Sequence, residues 1–497
     1  MSIGLVMSRA LLGIDAPAVR IEVFLSGGLP SFSVSGMAET AVRESKDRVR
    51  GALISSGFRF PQERITVSLA PADMPKTGGR FDLAIALGIL VASRHLAQAG
   101  LDSVECYGEL ALNGEVRQVH GLLTAAIKAR AADRSMLVPT GSAAEAAFTH
   151  PAVHPVSTLL EATAFLDGRH SIEPYSLPAT PIPAPPLEDL RTVRGQARPK
   201  RALEIAAAGE HNLLLTGPPG TGKSILARCL PGLLPDLDPV AALEAVAIES
   251  LLGNPPSAST WRRRPFRAPH HTASAPALVG GGAGPQPGEI SRAHNGVLFL
   301  DELPEFNRHA LEVLREPLET GSINIARANA QLKFPARFQL VAAMNPCPCG
   351  FYGDPGNDCR CSGDRVAAYL ARISGPLLDR MDLVVTVDRP PASAFRGRPS
   401  AESSACVGRR VRAARERALN RQGHVNGRIP GASMEASCPL PESAWRLLEE
   451  AADKLQLSAR GLHRTTRVAR TIADLDAASD IAPAHVAEAL TFRGHGR

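Results

Sequence analysis

The sequence predicts an α/β protein in which a core built on a parallel sheet follows an N-terminal α+β region and precedes a bundle of helices. Three observations support this. In the middle of the chain lie three continuous apolar runs of strand length, and one of them runs into a glycine-rich loop and then a helix. Before them, alternating strands are mixed with helices, and after them helical patterns dominate. At 497 residues the chain is too long for one hydrophobic core, which suggests three domains.

Composition limits the class of protein. A hydrophobic content of 44% is typical of a soluble globular chain. No apolar run reaches the roughly 18 residues of a membrane span, and the first residues lack the pattern of a cleavable signal, so we expect a cytoplasmic protein without a membrane partner. The net charge of +6 and the pI near 9.0 favour a phosphate-rich partner, although a bias towards arginine gives the same values.

Residues 1–170 have the pattern of an α+β domain, in which period-two strands alternate with helices. Asn113-Gly114 sits between two short alternating runs and predicts a hairpin turn. The predicted elements are strands Val19–Leu25 and Ile65–Leu69, a helix Glu39–Ser55, a hairpin Tyr107–Arg117 and a helix Leu122–Ala132.

A proline-rich stretch separates this region from the rest of the chain. Residues 171–189 show little apolar periodicity, which predicts an extended, semi-rigid linker. We therefore place a core at residues 190–395 and a C-terminal helical domain at residues 396–497. The helices predicted in that last domain are Ala405–Gln422, Pro441–Leu455, Gly461–Ala478 and Ala484–Leu490.

The glycine-rich loop fits the phosphate-binding pattern G-x-x-x-x-G-K-[ST] at every fixed position. Its residues are Gly217, Pro218, Pro219, Gly220, Thr221, Gly222, Lys223 and Ser224. The sequence predicts a strand at Asn212–Thr216 before the loop and a helix at Ser224–Leu230 after it. In that arrangement the backbone N–H groups of the loop and the N-terminus of the helix bind phosphates. We expect Lys223 to reach the β- and γ-phosphates of ATP and Ser224 to hold Mg²⁺. The alternative is a Gly/Pro turn that matches by chance.

A second apolar strand, Gly296–Leu300, ends in two carboxylates. Asp301 is expected to help hold Mg²⁺, and Glu302 to polarise the attacking water. The alternative is a carboxylate pair that only caps a helix.

Between the loop and the acidic strand lies an arginine-rich segment, Trp261–Thr272. The segment contains an aromatic residue, clustered arginines and two histidines, which suit phosphate contacts and stacking on single-stranded bases. Arginine clusters equally stabilise a loop or a subunit interface, which is the alternative. The candidate nucleic-acid contacts are Arg263, Arg264, Arg267, His270 and His271. A second candidate is the predicted hairpin Ile323–Phe334, with Arg327 and Lys333 towards its tip.

Four of the eight cysteines are clustered. The spacing C-x-C-x9-C-x-C is formed by Cys347, Cys349, Cys359 and Cys361. It suits a tetrahedral, structural Zn²⁺ site, although C-x2-C is a commoner spacing than C-x-C between neighbouring zinc ligands. Free thiols or a redox-labile pair are the alternatives.

Several motifs of the core resemble those of AAA+ ATPases. Val193-Arg194-Gly195-Gln196 resembles the segment that touches adenine, which implies nucleotide contacts for Val193 and Gln196. Asn345 follows the strand Phe338–Met344 and matches the polar residue that senses the γ-phosphate.

Two arginine motifs carry the same resemblance. The segment Ser374–Asp382 is similar to the motif that supplies an arginine finger to the neighbouring subunit, which implies that role for Arg380, with Arg372 as the fallback and a surface salt bridge as the alternative. Ser458–Leu462 resembles the sensor-2 motif, which implies that Arg460 reaches the nucleotide. Arg464 and Arg467 on the same helix are competitors.

The N-terminal region resembles the Lon-protease-like domain of magnesium-chelatase-like ATPases, through the run 44–90 and the Gly-Glu-Leu hairpin. The place of the Lon nucleophilic serine reads Lys76–Asp82, and the place of its lysine reads Gly121-Leu122-Leu123. Since neither member of that dyad is present, we expect no peptidase activity and a role in assembly or partner binding.

Taken over nearly its whole length, the order of these parts resembles the YifB/ComM group of magnesium-chelatase-like AAA+ proteins. The Arg-Pro-Phe-Arg/His-His segment and Asn-Pro-Cys-Pro-Cys-Gly are the most particular features. The resemblance implies a hexameric ATP- and Mg²⁺-dependent motor that promotes branch migration of single-stranded or branched DNA in natural transformation. A chelatase motor or a protein-remodelling ATPase are the other classes, and salt-dependent DNA binding would separate them.

Overall fold

The computed structural model describes residues 2–36, 44–178, 183–282, 286–327, 330–354, 356–391, 393 and 402–493. Within these ranges no helix is both long enough and apolar enough to cross a membrane.

The N-terminal region is built on a seven-stranded mixed sheet with the order β3-β4-β2-β1-β5-β8-β9. β1 and β2 are antiparallel, whereas β1, β5, β8 and β9 pair in parallel. The strands are β1 Ser2–Arg9, β2 Ala18–Ser26, β3 Ser31–Ser35, β4 Arg64–Ala70, β5 Val104–Cys106, β8 Ser135–Pro139 and β9 Val153–Val156. The predicted hairpin is also present, as β6 Glu109–Leu110 and β7 Val116–Arg117.

Helices cover this sheet. Every residue of Asp82–Ala92 is buried, because the helix packs its apolar side chains on β1 and β2 and into one core with them. The predicted helix from Glu39 begins at Ser45 in the described part of the chain, and residues 39–43 of that prediction lie outside it. The helices are Ser45–Ser55, Asp82–Ala92, Leu122–Ala131, Ala143–Ala147 and Leu159–Leu166.

The core contains a five-stranded parallel sheet with the order β11-β14-β17-β10-β18. Because all its strands run the same way, their carboxyl ends meet at one edge, where parallel sheets place their sites. The predicted apolar strands are confirmed within a residue or two. The strands are β10 Leu213–Thr216, β11 Phe266–Arg267, β14 Val297–Leu300, β17 Gln339–Met344 and β18 Leu383–Thr386.

Helices and a hairpin surround the core sheet. The predicted hairpin at 323–334 is formed by β15 Ser322–Arg327 and β16 Ala330–Pro335, and a two-residue ribbon pairs β12 Gly280–Gly281 with β13 Gln286–Pro287. The helices are Ala197–Gly209, Lys223–Cys229, Pro239–Leu251, Ala275–Val279, Glu289–Arg292, Arg308–Glu312, Arg315–Thr320, Gly363–Leu370 and Gly375–Leu378.

The C-terminal region is helical, as predicted. Its helices share one hydrophobic core with helix Ala197–Gly209, in which Ile205, Val411 and Ile472 are all buried. The C-terminal helices therefore pack in one hydrophobic core with the five-stranded parallel sheet. The helices are Ser404–Gln422, Met434–Ser437, Glu442–Leu455, Ala459–Leu475 and Pro483–Thr491.

The N-terminal region also contacts the core. Ser250, near the end of helix Pro239–Leu251, hydrogen bonds to the buried carboxylate of Glu145, and its carbonyl accepts from Gly121 N–H at 3.2 Å. The rings of Phe148 and Trp261 meet edge to face with centroids 5.5 Å apart. The interface thus reaches the arginine-rich segment.

Candidate nucleotide-binding site

The loop between β10 and helix Lys223–Cys229 has the backbone that a phosphate cradle needs. Gly220 and Gly222 have φ values of 75° and 93°, which favour glycine, and open space faces both of them. The helix that follows begins at Lys223, so its free N–H groups point into the loop. The geometry agrees with the predicted anion site.

Lys223 is folded into this loop. Its Nζ donates to the carbonyls of Gly217 and Pro218, both at 2.7 Å. Burial lowers the pKa of the Lys223 amine, while the nearby Asp301 and Glu302 carboxylates oppose that shift. The amine is thus already held at the loop by partners that phosphate oxygens can replace.

Ser224 and Asp301 meet across the strand tips. Ser224 Oγ donates to Asp301 Oδ2 at 2.5 Å, although 77 residues separate them in the chain. A hydroxyl and a carboxylate are hard oxygen ligands of the kind that Mg²⁺ prefers. The residues present therefore fit the predicted magnesium site.

Asn345 lies between these two parts of the site because β17 separates β10 from β14 in the sheet. Its Oδ1 accepts a hydrogen bond from Lys223 Nζ at 3.1 Å. The side chain predicted to sense the γ-phosphate thus touches the lysine predicted to hold it.

Glu302 directly follows Asp301 in a left-handed conformation, with φ 53°. This conformation costs free energy for a residue other than glycine. Its Oε2 lies 3.0 Å from Nδ1 of His271, and the side chains are 52% and 32% exposed. His271 stacks in turn on His270, with ring centroids 4.1 Å apart.

The sheet explains why His271 comes so close. β11, in the arginine-rich segment, pairs in parallel with β14 at Phe266–Val297 and Arg267–Leu298. The chain that leaves β11 therefore emerges at the edge where Asp301 and Glu302 stand. Sequence spacing alone gives no sign of this pairing.

Of the two residues predicted to contact adenine, Gln196 also contacts the phosphate loop. Gln196 Nε2 donates to the carbonyls of Thr221 at 3.3 Å and Asp388 at 2.6 Å, and the residue itself has φ 59°. Val193 is buried in the core. Gln196 therefore joins the phosphate loop to the end of β18.

Arg380 is 7% exposed and already paired. It donates to the carbonyl of Pro376 at 2.6 Å and forms an ion pair with Glu319, whose side chain is 57% exposed. The fallback residue, Arg372, pairs with Glu305 at 3.0 Å on the surface. Arg380 has to leave Glu319 before it could contact a neighbouring subunit's nucleotide.

Arg460 is exposed in the first turn of helix Ala459–Leu475, which Ser458 caps. Its competitor Arg464 lies nearer the core, with Nε 3.8 Å from Asp382 Oδ1, and the Nη2 of Arg467 donates to the carbonyl of Ile429. The three arginines therefore face different surroundings.

The arginine-rich segment is held largely by contacts within the chain. Arg263 donates to the carbonyl of Pro185, and Arg264 donates to two carbonyls at 2.9 Å while burial lowers its pKa. Arg267 forms a two-point ion pair with Glu289 at 2.7 and 2.8 Å. These are the contacts expected of a loop-stabilising role, and each arginine has to leave its partner before it contacts a phosphate.

In the hairpin β15–β16, Lys333 is exposed, but it pairs with Asn324 nearer the base of the hairpin and not at its tip as predicted. The backbone of Arg327 pairs with Ala330 at the tip, and its side chain lies outside the described residues. Lys333 is thus available for an anionic ligand.

The four clustered cysteines lie together without disulfide bonds. The Sγ–Sγ distances are 3.3 Å for Cys347–Cys349, 3.7 Å for Cys347–Cys359 and 3.6 Å for Cys349–Cys359, and all four Sγ atoms lie within 4.8 Å of one another. In a tetrahedral site with Zn–S near 2.3 Å, sulfurs stand about 3.8 Å apart. The cluster fits a four-thiolate zinc ion.

Three charged side chains between Lys76 and Asp82 are buried in the N-terminal region. Lys76 Nζ donates to the carbonyl of Pro71, and the Arg80 guanidinium lies 5.7 Å from the centre of the Tyr107 ring. Asp82 pairs with Arg48 at 2.6 Å, yet burial raises the pKa of its carboxyl to about 6. Lys76 and Asp82 therefore have polar partners within the N-terminal region, and Arg80 lies against an aromatic ring.

Sequence reasoning missed three contacts in the core, one of which, at Asp382, lies at the amino ends of β10 and β18, on the opposite edge of the sheet from the phosphate loop. Glu319 holds Arg380, Asp382 accepts from Asn212 N–H at 2.9 Å at the start of β10, and Gly350 stands against Pro219 of the phosphate loop. Only Gly350 carried a local signal, since it ends Cys347-Pro348-Cys349-Gly350.

Three family profiles match the chain. Magnesium chelatase, subunit ChlI, matches residues 189–395, Subunit ChlI of Mg-chelatase matches residues 21–142, and the ChlI C-terminal profile matches residues 401–493. Together they cover the N-terminal region, the core and the C-terminal helices.

Similar proteins match over the full length. The chain is 48% identical to an uncharacterized protein YifB of Salmonella typhimurium, covering 100% of this chain and 98% of that protein. It is 47% identical to the competence protein ComM of Haemophilus influenzae, covering 99% and 98%. A magnesium-chelatase 38 kDa subunit of Rhodobacter capsulatus is 27% identical over 32% of this chain and 51% of its own length.

Proposed function

The chain belongs to the YifB/ComM-type magnesium-chelatase-like family, and on that premise we propose that it is an ATP-driven, ring-forming DNA motor. Membership implies an AAA+ ATPase. The finer proposal is that the motor promotes branch migration of single-stranded or branched DNA in natural transformation. It is supported by the name of the Haemophilus influenzae relative, a competence protein. We further propose a cytoplasmic homo-hexamer.

The residues at the sheet edge have complementary tasks in ATP hydrolysis. Lys223 exchanges its two carbonyl partners for phosphate oxygens, while Ser224 and Asp301 supply the magnesium ligands. Mg²⁺, when bound, neutralises charge on the β- and γ-phosphate oxygens. Glu302 orients the attacking water, and Asn345 lies where it can report the γ-phosphate to the loop that follows it.

The observation that carries the DNA proposal is the contact between His271 and Glu302 at 3.0 Å. It joins the arginine-rich segment to the carboxylate that orients water. While His271 holds Glu302, that carboxylate is shared between the imidazole and water. A DNA strand that draws the segment away releases Glu302, so DNA binding and hydrolysis become coupled.

We propose nucleic-acid contacts at the segment and at the hairpin. His270 and Lys333 are exposed, and Arg327 stands at the hairpin tip. Arg263 and Arg267 would join them after exchanging their present partners for phosphates. Arg380 and Arg460 are proposed as the cations that reach the nucleotide, Arg380 from the adjacent subunit.

The remaining parts have supporting roles in this proposal. The N-terminal residues 1–170 form a Lon-like domain without peptidase activity that serves assembly or partner binding, joined by residues 171–189 to the ATPase core 190–395 and the lid 396–497. The four clustered cysteines hold a structural Zn²⁺.

A protein-remodelling or chelatase-type motor is the alternative, favoured by the partial match to a magnesium-chelatase subunit. The deciding experiment is ATP hydrolysis by the purified chain with and without single-stranded and branched DNA, at several salt concentrations. Stimulation that falls with salt and is absent from Glu302→Gln supports a DNA motor. Activity that ignores every DNA tested favours a protein client.

A further inference from the structure

The four-cysteine loop is directly attached to the nucleotide site. Cys347 follows Asn345 by two residues, and Asn345 Oδ1 accepts from Lys223 Nζ at 3.1 Å. Any shift of Cys347 along the chain is therefore transmitted to the side chain that touches the phosphate-binding lysine.

The same loop also touches the phosphate loop from outside. Gly350 is buried, with φ 88°, and a Cβ placed on it would stand 2.6 Å from Cδ and 3.2 Å from Cγ of Pro219. Pro219 is a rigid ring in the middle of the loop that has to wrap the phosphates. Gly350 therefore packs directly against the phosphate loop.

The hydrogen bonds in the described part of the four-cysteine loop are local, and three of them run from Gly356 and Asn357 to Asp354. Residues 351–361 contain no helix or strand where they are described, and Phe351, Tyr352 and Asp354 are at least partly exposed. Backbone hydrogen bonds join Gly350 N–H to the Cys347 carbonyl at 3.0 Å and Asp354 N–H to the Phe351 carbonyl at 3.1 Å. The sulfurs of Cys347 and Cys349 on one arm lie 3.7 and 3.6 Å from that of Cys359 on the other, and these contacts join the two ends of the loop.

The positions of the four sulfurs suit a metal ion that joins the two ends of the four-cysteine loop. Cys347 and Cys349 sit on the arm after β17, and Cys359 and Cys361 on the arm before helix Gly363–Leu370. The distances between their sulfurs are close to those in the tetrahedron that four thiolates form around Zn²⁺. Binding one ion closes the loop and fixes Gly350 and Asn345 relative to β17.

We propose that zinc held by Cys347, Cys349, Cys359 and Cys361 positions the nucleotide site, so that zinc occupancy controls ATP affinity and hydrolysis. The metal acts through Gly350 on Pro219 and through Asn345 on Lys223, without contacting the nucleotide. This inference rests on the proposed ATP-binding function but not on the proposed DNA activity.

The test compares two glycines of this loop in the full chain. Gly350 and Gly353 both have positive φ, 88° and 75°, so alanine strains the backbone in either place, but open space faces Gly353. We expect Gly350→Ala to weaken binding of a fluorescent ATP analogue about ten-fold or more and to keep one zinc per chain. Gly353→Ala should keep both properties.

A second pair of variants removes the metal without touching the nucleotide side. Cys361→Ser should lose zinc, measured by elemental mass spectrometry, and should lose ATP-analogue affinity to a similar degree, while circular dichroism and thermal unfolding show a folded chain. Cys406→Ser, a half-buried cysteine outside the cluster, is the control and should behave as wild type.

The outcomes separate the inference from the proposed function. A chain that binds ATP equally well with and without zinc, or that takes up no zinc at all, overturns the inference and leaves the ATPase intact. A wild-type chain that holds zinc but binds no ATP overturns the proposed ATPase and the inference with it. Loss of DNA stimulation alone leaves the inference standing.

Discussion

His271 Nδ1 lies 3.0 Å from Glu302 Oε2, and this contact joins the arginine-rich segment to the residue that is to orient the attacking water. Both side chains are partly exposed, so the pair can open without unfolding the core. The pairing of β11 with β14 brings them together.

His271→Ala should raise ATP hydrolysis in the absence of DNA and reduce the further stimulation by DNA. The physical reason is that Glu302 no longer shares its carboxylate with an imidazole. The measurement is steady-state phosphate release with and without single-stranded DNA. His270→Ala is the control for the rate without DNA, because His270 Nδ1 bonds Thr272 Oγ1 at 2.9 Å rather than Glu302. An equal rise of that rate in the two variants would contradict the coupling.

Arg380→Ala and Glu302→Gln should each hydrolyse ATP slowly, by about a hundred-fold or more, when assayed alone. Mixed together, they should recover activity, because an intact Glu302 in one subunit then meets an intact Arg380 from its neighbour. Phosphate release by the mixture measures this. The same experiment with Arg372→Ala in place of Arg380→Ala tests the fallback residue, and absence of recovery from the Arg380→Ala mixture would remove the trans role.

Arg264→Ala should destabilise the protein rather than selectively weaken DNA binding. The substitution strands the carbonyls of Pro235 and Asn295 and takes a nearby positive charge from Glu210, at a cost of about 2–4 kcal/mol. Thermal unfolding measures the effect. Arg263→Ala, whose partner is the exposed Pro185 carbonyl, is the control and should change stability little. A folded Arg264→Ala with wild-type melting would refute the structural role.

Glu210→Gln should reveal a pH-dependent contribution to stability. Burial opposes ionisation of Glu210, but Arg428 at 2.6 Å, with Arg415 and Arg264, outweighs it and lowers the pKa to about 2. A lowered pKa stabilises the fold above the unfolded value near 4.5, and that stabilisation is lost as pH falls towards about 2. The difference in denaturant midpoint between wild type and variant should therefore be largest near pH 7 and shrink at pH 4 and 3. A gap independent of pH would contradict this.

Local patterns in the sequence were sufficient for much of the fold and the chemistry. The strand, glycine loop and helix around Lys223 depend on neighbouring residues, so their period and spacing predicted them within a residue or two. Asp301 follows from the same reasoning, because it ends an apolar strand, whereas the role predicted for Asn345 at the end of another strand comes from the resemblance to AAA+ ATPases. Parallel pairing then brings those strand ends to one edge.

Other assignments could not be made from spacing. The arginine-rich segment predicted nucleic-acid contacts from its composition, yet Arg264 and Arg267 are engaged with carbonyls and with Glu289. Arg380 was named from a motif, whereas its ion pair with Glu319 joins residues 61 positions apart. Composition indicates which groups are available, not which partners they have.

The sequence by itself determined the nucleotide chemistry, since a phosphate loop and its acidic strand are each encoded by contiguous residues. Only the tertiary structure decided how that chemistry is connected: His271 to Glu302, Gly350 to Pro219, and the cysteine sulfurs to one another. These contacts depend on strand order and loop packing over long separations, where side-chain burial and hydrogen bonding, rather than local periodicity, select the partners.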